Sequence, residues 1–442
     1  MKLKFSTLIK ILIILAIIAY GFYVYWINTD HSTKSADSNA TEQTAINQNT
    51  TNQVAVDDTK NNKIINTLAL DSKPVDDTNS SSADYIMEKL NLHAKAALLM
   101  DASNYRVLYE KNGYSEMPMA STTKIMTLIV TLENASLDDV VTVSKYAAGM
   151  PDVQLGIKAG EQYKLGDLVY SLMLESHNDV AVAIAEHVGG SVEAFAKMMN
   201  TKAKELGCNH TNFVTPNGLD AENHFTTAED LAKIGSYAIK NDEFLRITNA
   251  SSHTFKELSK GRTYTVNNKD RFLQLMDGAI GIKTGFTGKA GFCFVGALER
   301  DGKKFVSVVL ACGWPPNKSY KWHDTKLLMK YGLDYYSLKN ITGDTKAISS
   351  IPVTDGQDAS VNVSYKLSEI KLLLNDKETS RIEYDIPNSL EAPIKKDAVV
   401  GHITYYVNEQ PYKKIPVYAT DSVKKINFIY CLNKVLSSWF FQ

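Results

Sequence analysis

The hydrophobic positions of this chain fall into segments whose spacing predicts a first folded unit that begins near residue 85. The segment "AALLMDASNYRVLYEKNG" predicts two strands joined by a turn around Ser103-Asn104. The segment "TTKIMTLIVTLEN" is apolar on nearly every side and therefore predicts a buried helix. Two further apolar strands flank Asp301-Gly302, which predicts a hairpin. Strands at both ends with helices between them predict an α/β (α+β) fold, in which helices cover an antiparallel sheet.

A different pattern of hydrophobic positions begins near residue 343. Short alternating segments such as "ASVNVSY", "HITYYVN" and "KKIPVYA" are separated by polar turns. Strict alternation of apolar and polar residues is typical of strands with one buried face. The pattern predicts a small C-terminal all-β domain over residues 343–420, after a first domain over residues 85–342.

Residues 421–442 have a third pattern, which predicts an amphipathic helix that begins at Lys424. The polar side of this helix carries Lys424, Asn427, Cys431, Lys434 and Ser438. The apolar side carries Ile426, Phe428, Ile429, Leu432, Val435, Leu436, Trp439, Phe440 and Phe441. Because the helix is too short to span a bilayer, it is expected to lie in a lipid interface or to pack on the protein's own β domain.

The chain begins with a segment, residues 1–29, that has the features of a membrane anchor. Lysines precede an uncharged stretch over residues 11–27, which is long enough to span a bilayer, and Asp30 follows it. An uncleaved anchor is favoured over a cleaved signal peptide, because the nearest small-residue site, Ser38-Asn39-Ala40, lies well beyond the apolar stretch. Either interpretation places the rest of the chain on the extracytoplasmic face of the cell membrane. Residues 30–84 are poor in aromatic residues and rich in polar ones, which predicts a disordered linker.

Composition and charge exclude some classes of function. The 442 residues are enough for two or three folded units. The chain has 48 Lys and Arg residues against 49 Asp and Glu residues, and this balance does not indicate a nucleic-acid partner. The four cysteines form no Cys-x-x-Cys pair and no metal-like grouping with histidines, so neither a metal nor a cofactor is predicted. Cys293 and Cys312 fall on neighbouring predicted strands, which leaves a disulfide open.

Ser121 and Lys124, in "ASTTKIMT", allow two interpretations. The serine is either a helix cap beside a solvated lysine or a nucleophile that the lysine activates. The Ser-x-x-Lys pattern occurs three times in the chain, so it does not decide between them. On a helix the two side chains would project from one face and meet. A catalytic lysine must be neutral, and burial or a nearby second cation would lower its pKa.

Two further motifs follow in an order that favours catalysis. Lys283-Thr284-Gly285 lies just before the hairpin strands. It is either an edge strand that offers a substrate a second cation and a hydroxyl, or a plain turn without a catalytic role. Ser176-His177-Asn178 stands at the start of an apolar helix, where it is either part of a catalytic site or simply the N-cap of that helix. The order Ser-x-x-Lys, Ser-x-Asn, Lys-Thr-Gly occurs in penicillin-binding proteins and class A β-lactamases.

From about Leu92 to Ala419 the chain resembles the D-alanyl-D-alanine carboxypeptidases, the low-molecular-mass penicillin-binding proteins of serine peptidase family S11. The resemblance extends to "TPNGLDAENHFTTAEDLAKI" and "LEAPIKKDAVVGHI". It implies a β-lactamase/transpeptidase-like catalytic domain, a C-terminal β domain, and removal of the terminal D-alanine from peptidoglycan stem peptides. It also implies acylation by β-lactam antibiotics and, at the C-terminus, an anchor on the membrane lipid surface.

The resemblance implies a role for each motif residue. Ser121 would form the acyl-enzyme and Lys124 would accept its proton. Ser176 and Asn178 would relay protons and hold the substrate amide. The terminal carboxylate would bind Lys283 and Thr284, beside Gly285, and the oxyanion would meet the backbone N–H groups of Ser121 and Phe286.

His177 departs from the family pattern, which usually has a small residue there. The ring is expected either to narrow the groove or to point away from it. We also find no Asp or Glu partner for His177 at a fixed spacing.

Two other functions remain open from the sequence. A class A β-lactamase would need a glutamate-activated water, and the predicted C-terminal β domain disfavours that function. A non-catalytic cell-wall binding protein would not need all three motifs intact.

Overall fold

The computed structural model describes residues 15–16, 18–23, 90–151, 153–341, 348–367 and 369–440. Of the predicted anchor, the structure therefore describes only a short helical piece within residues 15–23. The predicted linker at 30–84 lies outside the described residues. Among the described residues, no helix combines the length and the apolar character needed to cross a membrane.

The first unit alternates strands and helices along the chain. Its strands are β1 (Ala96–Asp101), β2 (Arg106–Lys111), β3 (Val140–Thr142), β4 (Gln162–Lys164), β5 (Ser252–Lys256), β6 (Thr263–Asn267), β7 (Ala279–Thr287), β8 (Gly291–Arg300) and β9 (Lys303–Leu310). Its helices are α1 (Lys124–Asn134), α2 (Lys145–Ala148), α3 (Leu165–Leu174), α4 (Asn178–Gly189), α5 (Val192–Glu205), α6 (Ala228–Ala238), α7 (Asp242–Thr248), α8 (Phe272–Leu275) and α9 (Tyr320–Tyr335).

The main sheet of this unit is antiparallel and has the strand order β2-β1-β9-β8-β7. Successive side chains of a strand point to opposite faces of a sheet. Accordingly Leu98 of β1 joins one core with Leu231 of α6, and Leu99 joins a second core with Leu328 of α9. Helices therefore cover both faces, and the predicted antiparallel sheet under helices is confirmed.

Local predictions in the first unit are also confirmed. β1 and β2 pair as a hairpin, and β8 and β9 pair about Asp301-Gly302. Asp301 and Gly302 both have positive φ (54° and 72°), as a tight hairpin turn requires. Helix α1 is buried on all sides from Lys124 to Thr131. The cysteines are free in the structure, so Cys293 and Cys312 form no disulfide.

The C-terminal unit is a β domain with its own core. Its strands are β10 (Ser337–Asn340), β11 (Ser350–Thr354), β12 (Ser360–Ser364), β13 (Lys371–Leu374), β14 (Ser380–Asp385), β15 (Leu390–Glu391), β16 (Val399–Val407) and β17 (Gln410–Ala419). The all-β prediction is confirmed, although β10, which pairs with β13, begins at Ser337, ahead of residue 343. Arg106 of β2 ties the two units together, because its guanidinium bonds Glu378 and the carbonyl oxygen of Leu373.

The C-terminal helix, α10, spans Phe428–Phe440 and does not begin at Lys424 as the sequence predicted. The preceding residues are extended, because Gln357 N–H donates to Lys424 and Ile426 N–H donates to Asp355. These backbone bonds to the β domain compete with the first helical turn. The helix itself is tied to the domain by the Tyr430 hydroxyl, 2.7 Å from the carbonyl oxygen of Gln357.

Candidate active site

Ser121 lies in a 3-10 turn, Ala120–Thr123, that leads directly into α1. Its hydroxyl oxygen accepts a hydrogen bond from the Lys124 ammonium nitrogen at 3.0 Å and lies 3.4 Å from the carbonyl oxygen of Asn217. The structure records no side-chain cap for the turn or for α1. The capping interpretation of Ser121 is therefore wrong, and the predicted meeting of the two side chains is confirmed.

Lys124 is fully buried, so the interpretation as a solvated charge is also wrong. Its ammonium donates to Asn178 Oδ1 at 2.9 Å and to the carbonyl oxygen of Asn217. Burial lowers the pKa of Lys124 well below its usual range, and the charge of Lys283 lowers it further, while Asp179 opposes them. Because a neutral amine can accept a proton, these surroundings suit a general base.

Ser176 and Asn178 stand at the start of α4, and Asn178 Oδ1 accepts a hydrogen bond from Lys124. Ser176 has a φ of +69°, in the left-handed region, and its hydroxyl is buried without a hydrogen-bond partner among the described residues. Backbone strain and an unsatisfied buried polar group both cost stability, and they concentrate at functional sites. Asn178 is held by its N–H, which donates to Val153 at 2.6 Å. This bond holds the backbone at the start of α4 against the segment around Val153.

His177 faces away from the Ser121–Lys124 pair. Its Nδ1 atom lies 2.7 Å from the Ser171 hydroxyl, and its Nε2 atom lies 3.5 Å from a Glu175 carboxylate oxygen. The ring is buried, and burial lowers the pKa of His177 below its usual value. The expectation that it has no acidic partner is wrong, because Glu175, two residues earlier, lies beside it.

The Lys-Thr-Gly motif lies on β7, an edge strand of the main sheet, as the sequence predicted. A Cβ atom on Gly285 would lie 3.0 Å from the backbone nitrogen of Ser121, so the strand runs directly against the serine turn. Phe286, the next residue, is 43% exposed. The edge therefore leaves open the side on which an extended peptide would bind.

Lys283 and its acidic neighbour are both buried in this strand region. The Lys283 ammonium donates to the carbonyl oxygen of Thr284 at 3.0 Å. Burial lowers the pKa of Lys283 to about 7, and the charge of Asp270 opposes the shift. Burial likewise raises the pKa of Asp270 to about 7, opposed by a hydrogen bond from Phe272 and by Lys283. The two side chains stabilise each other's charged form.

Several residues that support the site were not predicted from the sequence. Asp179 accepts the N–H groups of Leu155 and Gly156, which holds the loop before α3 against α4. Gly218 has a φ of +83°, and a Cβ there would lie 2.1 Å from the carbonyl oxygen of Ala120. The pair Asn217-Gly218 was a recognisable turn signal. No sequence pattern indicated that Gly218 would contact the serine turn at Ala120, because the two segments are far apart in the chain.

The assembled groups can perform acyl transfer. They supply a hydroxyl nucleophile, a buried amine in contact with it, backbone amides at the serine turn, and an edge strand with a cation. Among the described residues, the cluster of side chains that could hold a metal ion lies elsewhere, at His93, His323 and Asp324.

Comparisons with known proteins agree with this chemistry. Residues 80–313 match the family D-alanyl-D-alanine carboxypeptidase (peptidase S11), and residues 336–425 match the family penicillin-binding protein 5, C-terminal domain. The chain is 28% identical over 353 residues to the D-alanyl-D-alanine carboxypeptidase DacF of Bacillus subtilis, covering 78% of this chain and 90% of DacF.

A second relative and a solved structure extend the similarity. The chain is 28% identical over 362 residues to DacC of Escherichia coli, covering 78% of this chain and 88% of DacC. The crystal structure of penicillin binding protein 5 from Haemophilus influenzae superposes with a TM-score of 0.63 at 25% identity, covering 76% of this chain and 99% of that chain.

Proposed function

The chain belongs to the D-alanyl-D-alanine carboxypeptidases of peptidase family S11, and from this membership we propose that Ser121 is its nucleophile and Lys124 its proton acceptor. The protein is a serine-type D-Ala-D-Ala carboxypeptidase and a penicillin-binding protein of peptidoglycan metabolism. The observation that carries the residue assignment is the 3.0 Å contact between the Ser121 hydroxyl and the buried Lys124 amine.

Acylation begins when a stem pentapeptide lies along β7. The terminal carboxylate binds the ammonium of Lys283 and the hydroxyl of Thr284. The proton of the Ser121 hydroxyl moves to the Lys124 amine as the oxygen attacks the carbonyl carbon of the penultimate D-alanine. The developing oxyanion is stabilised by the backbone N–H groups of Ser121 and Phe286, which Gly285 allows to approach each other.

Collapse of the tetrahedral intermediate releases the terminal D-alanine. Its leaving amine takes a proton that Lys124 gives up through the hydroxyl of Ser176, which is free to serve as a relay. Water then attacks the acyl-enzyme and its proton passes to Lys124. Lys124 gives that proton to the Ser121 oxygen as the bond to the acyl carbon breaks and the shortened peptide is released. Asn178, bonded to Lys124, holds the substrate amide. A β-lactam carries a carboxylate and an acyl carbon in the same relation and acylates the same oxygen.

The two alternative functions that the sequence left open, a class A β-lactamase and a non-catalytic cell-wall binding protein, are not supported by the comparisons. The matched C-terminal domain is that of penicillin-binding protein 5, and the matched relatives are carboxypeptidases. A β-lactamase or a non-catalytic wall-binding protein is not the function of this family.

The test of the assignment is Ser121→Ala, measured by release of D-alanine from defined pentapeptides and by covalent labelling with a fluorescent penicillin. Both signals are expected to disappear while the unfolding midpoint stays near that of the parent. Ser422→Ala is the matched control, because Ser422 belongs to another Ser-x-x-Lys pattern and its hydroxyl accepts the N–H of Lys396, within the C-terminal unit. Labelling of Ser121→Ala at the parent level would overturn the assignment.

We further propose that the protein is held at the extracytoplasmic face of the membrane by both ends of the chain. Helix α10 exposes large apolar side chains, with Ile429 67% exposed, together with Phe428, Val435 and Trp439. The ring of Phe428 also lies within 2.8 Å of where a Cβ on Gly21 would be, so α10 meets the N-terminal helical piece. An apolar helix face beside a segment that can insert in lipid supports a joint anchor.

The membrane proposal is tested by deleting residues 1–30 alone and together with the tail from Phe428. The form that keeps the tail should bind anionic vesicles better than the double deletion and should lose binding at high salt. Ile429→Ser, which removes an exposed apolar side chain without touching Tyr430, should weaken binding. Equal binding by the two deletions would rule out an interfacial role for α10.

A further inference from the structure

A second cluster of reactive side chains lies outside the active site, where the chain approaches β1. His93 precedes this strand, and His323 and Asp324 lie in the first turn of α9. Their nitrogen and oxygen atoms all fall within 4.8 Å of one another. The imidazole rings of His93 and His323 have centroids 5.1 Å apart and are tilted by 58°.

Asp324 is the unusual member of this cluster, because its side chain is fully buried. Its Oδ2 atom accepts the N–H of Ala94 at 2.7 Å and the thiol of Cys312 at 3.3 Å. Its Oδ1 atom lies 3.0 Å from Nδ1 of His323, the ion-pair partner that the structure gives it. Imidazole is a cation only when protonated, and a buried carboxylate is normally paired or bound to a metal.

We propose that His93, His323 and Asp324 bind a divalent transition-metal ion, with zinc the best fit. Two imidazole nitrogens and one carboxylate oxygen are a common zinc ligand set. Magnesium and calcium prefer oxygen ligands, so a site with two imidazoles does not suit them. Two imidazoles on one tetrahedral zinc, with Zn–N bonds of about 2.0–2.1 Å, place their ring centroids about 5 Å apart. The rings of His93 and His323 already have this separation.

The surroundings of the three ligands also fit a metal site. The bonds from Ala94 and Cys312 orient the carboxylate of Asp324 and leave Oδ1 toward the histidines, as outer hydrogen bonds do around bound metals. His93 stacks on the ring of Tyr320 at 3.8 Å with a 10° tilt, which fixes its plane. Both histidines are exposed, so an ion can reach the site and water can complete its coordination.

The metal would act on stability rather than on the reaction. His93 and Asp324 are 231 positions apart, so one ion closes a long loop between the start of the fold and α9. The first turn of α9 also carries Lys321, whose ammonium lies 4.6 Å from the ring centroid of Phe292 on β8. Phe292 pairs with Phe286 of the substrate strand. An ion at this site would therefore hold the helix that packs on β8, the strand beside the substrate strand.

The experiment uses the full-length protein in detergent, without an affinity tag, after removal of metals with EDTA. Zinc is titrated calorimetrically, cobalt absorption reports the ligand geometry, and the melting temperature is measured with and without zinc. One ion per chain, a tetrahedral cobalt spectrum and a rise of several degrees in melting temperature are expected. Penicillin labelling of the metal-free protein should remain, because the ion's three ligands are not among the residues that bond Ser121 or Lys124.

His93→Ala and His323→Ala should each weaken zinc binding at least about tenfold and remove most of the zinc-dependent rise. His210→Ala is the matched control, since His210 is an exposed histidine beside Glu116. The rise is compared within each variant, so a general loss of stability does not imitate the result. Absence of binding at micromolar zinc, or unchanged binding in both variants, would overturn the proposal.

Discussion

The Nδ1 atom of His177 lies 2.7 Å from the hydroxyl of Ser171, inside the protein rather than in the substrate groove. The bulky residue in the middle of Ser176-His177-Asn178 is therefore packed inside the protein, between α3 and the start of α4. Its other nitrogen faces Glu175 at 3.5 Å. The hydrogen-bonding atoms of the ring are thus directed away from the reacting groups.

Replacing His177 by Gly should cost stability more than activity. The buried hydroxyl of Ser171 would lose its partner, which costs about 1–3 kcal/mol of unfolding free energy. The value of kcat/KM should change by less than about tenfold, or ~1.4 kcal/mol, because the ring does not contact the reacting groups. Denaturant unfolding and D-alanine release measure the two effects. A thousandfold loss of activity in a folded variant would show that His177 takes part in the chemistry.

The pH dependence of kcat/KM should be bell-shaped. On the acid side the rate rises with pH, because Lys124 must lose its proton to act as a base and its pKa is low. On the alkaline side the rate falls above about pH 7, because Lys283 loses the charge that binds the substrate carboxylate. The bound carboxylate favours protonated Lys283, so the alkaline limb of kcat should lie at higher pH than that of kcat/KM.

Lys283→Ala should raise KM and slow β-lactam acylation, because the carboxylate loses its cation. It should also move the acid limb to higher pH, because removal of a nearby positive charge raises the pKa of Lys124. Stopped-flow acylation over a range of pH measures both effects. An enzyme that acylates as fast as the parent at every pH would show that Lys283 has neither role.

Asp270→Asn should move the alkaline limb of kcat/KM to lower pH. The carboxylate of Asp270 favours the charged form of Lys283, and asparagine removes this charge while its amide oxygen can still accept the N–H of Phe272. KM at neutral pH should therefore rise with little change in kcat. Asp138→Asn is the control, since that side chain is 91% exposed. An unchanged pH profile would show that Asp270 does not set the charge of Lys283.

Gly218→Ala should disturb the serine turn directly. The added Cβ would lie 2.1 Å from the carbonyl oxygen of Ala120, next to Ser121, so one of the two segments must move. Gly207→Ala is the matched control, because Gly207 also has a positive φ (72°) but open space around it. Both variants should lose about 1–3 kcal/mol of stability from backbone strain, and only Gly218→Ala should also lose penicillin acylation. Equal acylation by the two variants would contradict this contact.

The local patterns of the chain were sufficient for the order of elements and for the three motifs. Residues 124–134 form a buried helix because nearly all sides of that helix carry apolar side chains. Asp301 and Gly302 close a hairpin because these two residues tolerate the positive φ that the turn requires. The contact of Ser121 with Lys124 was also predictable, because three-residue spacing on a helical turn is local geometry.

Other features depended on how distant segments pack. The start of α10 shifted from Lys424 to Phe428 because backbone bonds to Gln357 and Asp355 hold the preceding residues extended. The orientation of His177 was decided by Ser171 on the adjacent helix.

The sequence by itself predicted the proposed nucleophile, its base and the carboxylate-binding strand, because each is a short motif whose residue types suit that chemistry. Only the tertiary structure decided what surrounds them. The burial that lowers the pKa of Lys124, the approach of Gly218 to Ala120 and the meeting of His93 with Asp324 all join segments far apart in the chain. No periodicity encodes such contacts, because long-range packing depends on how whole faces of helices and strands fit together.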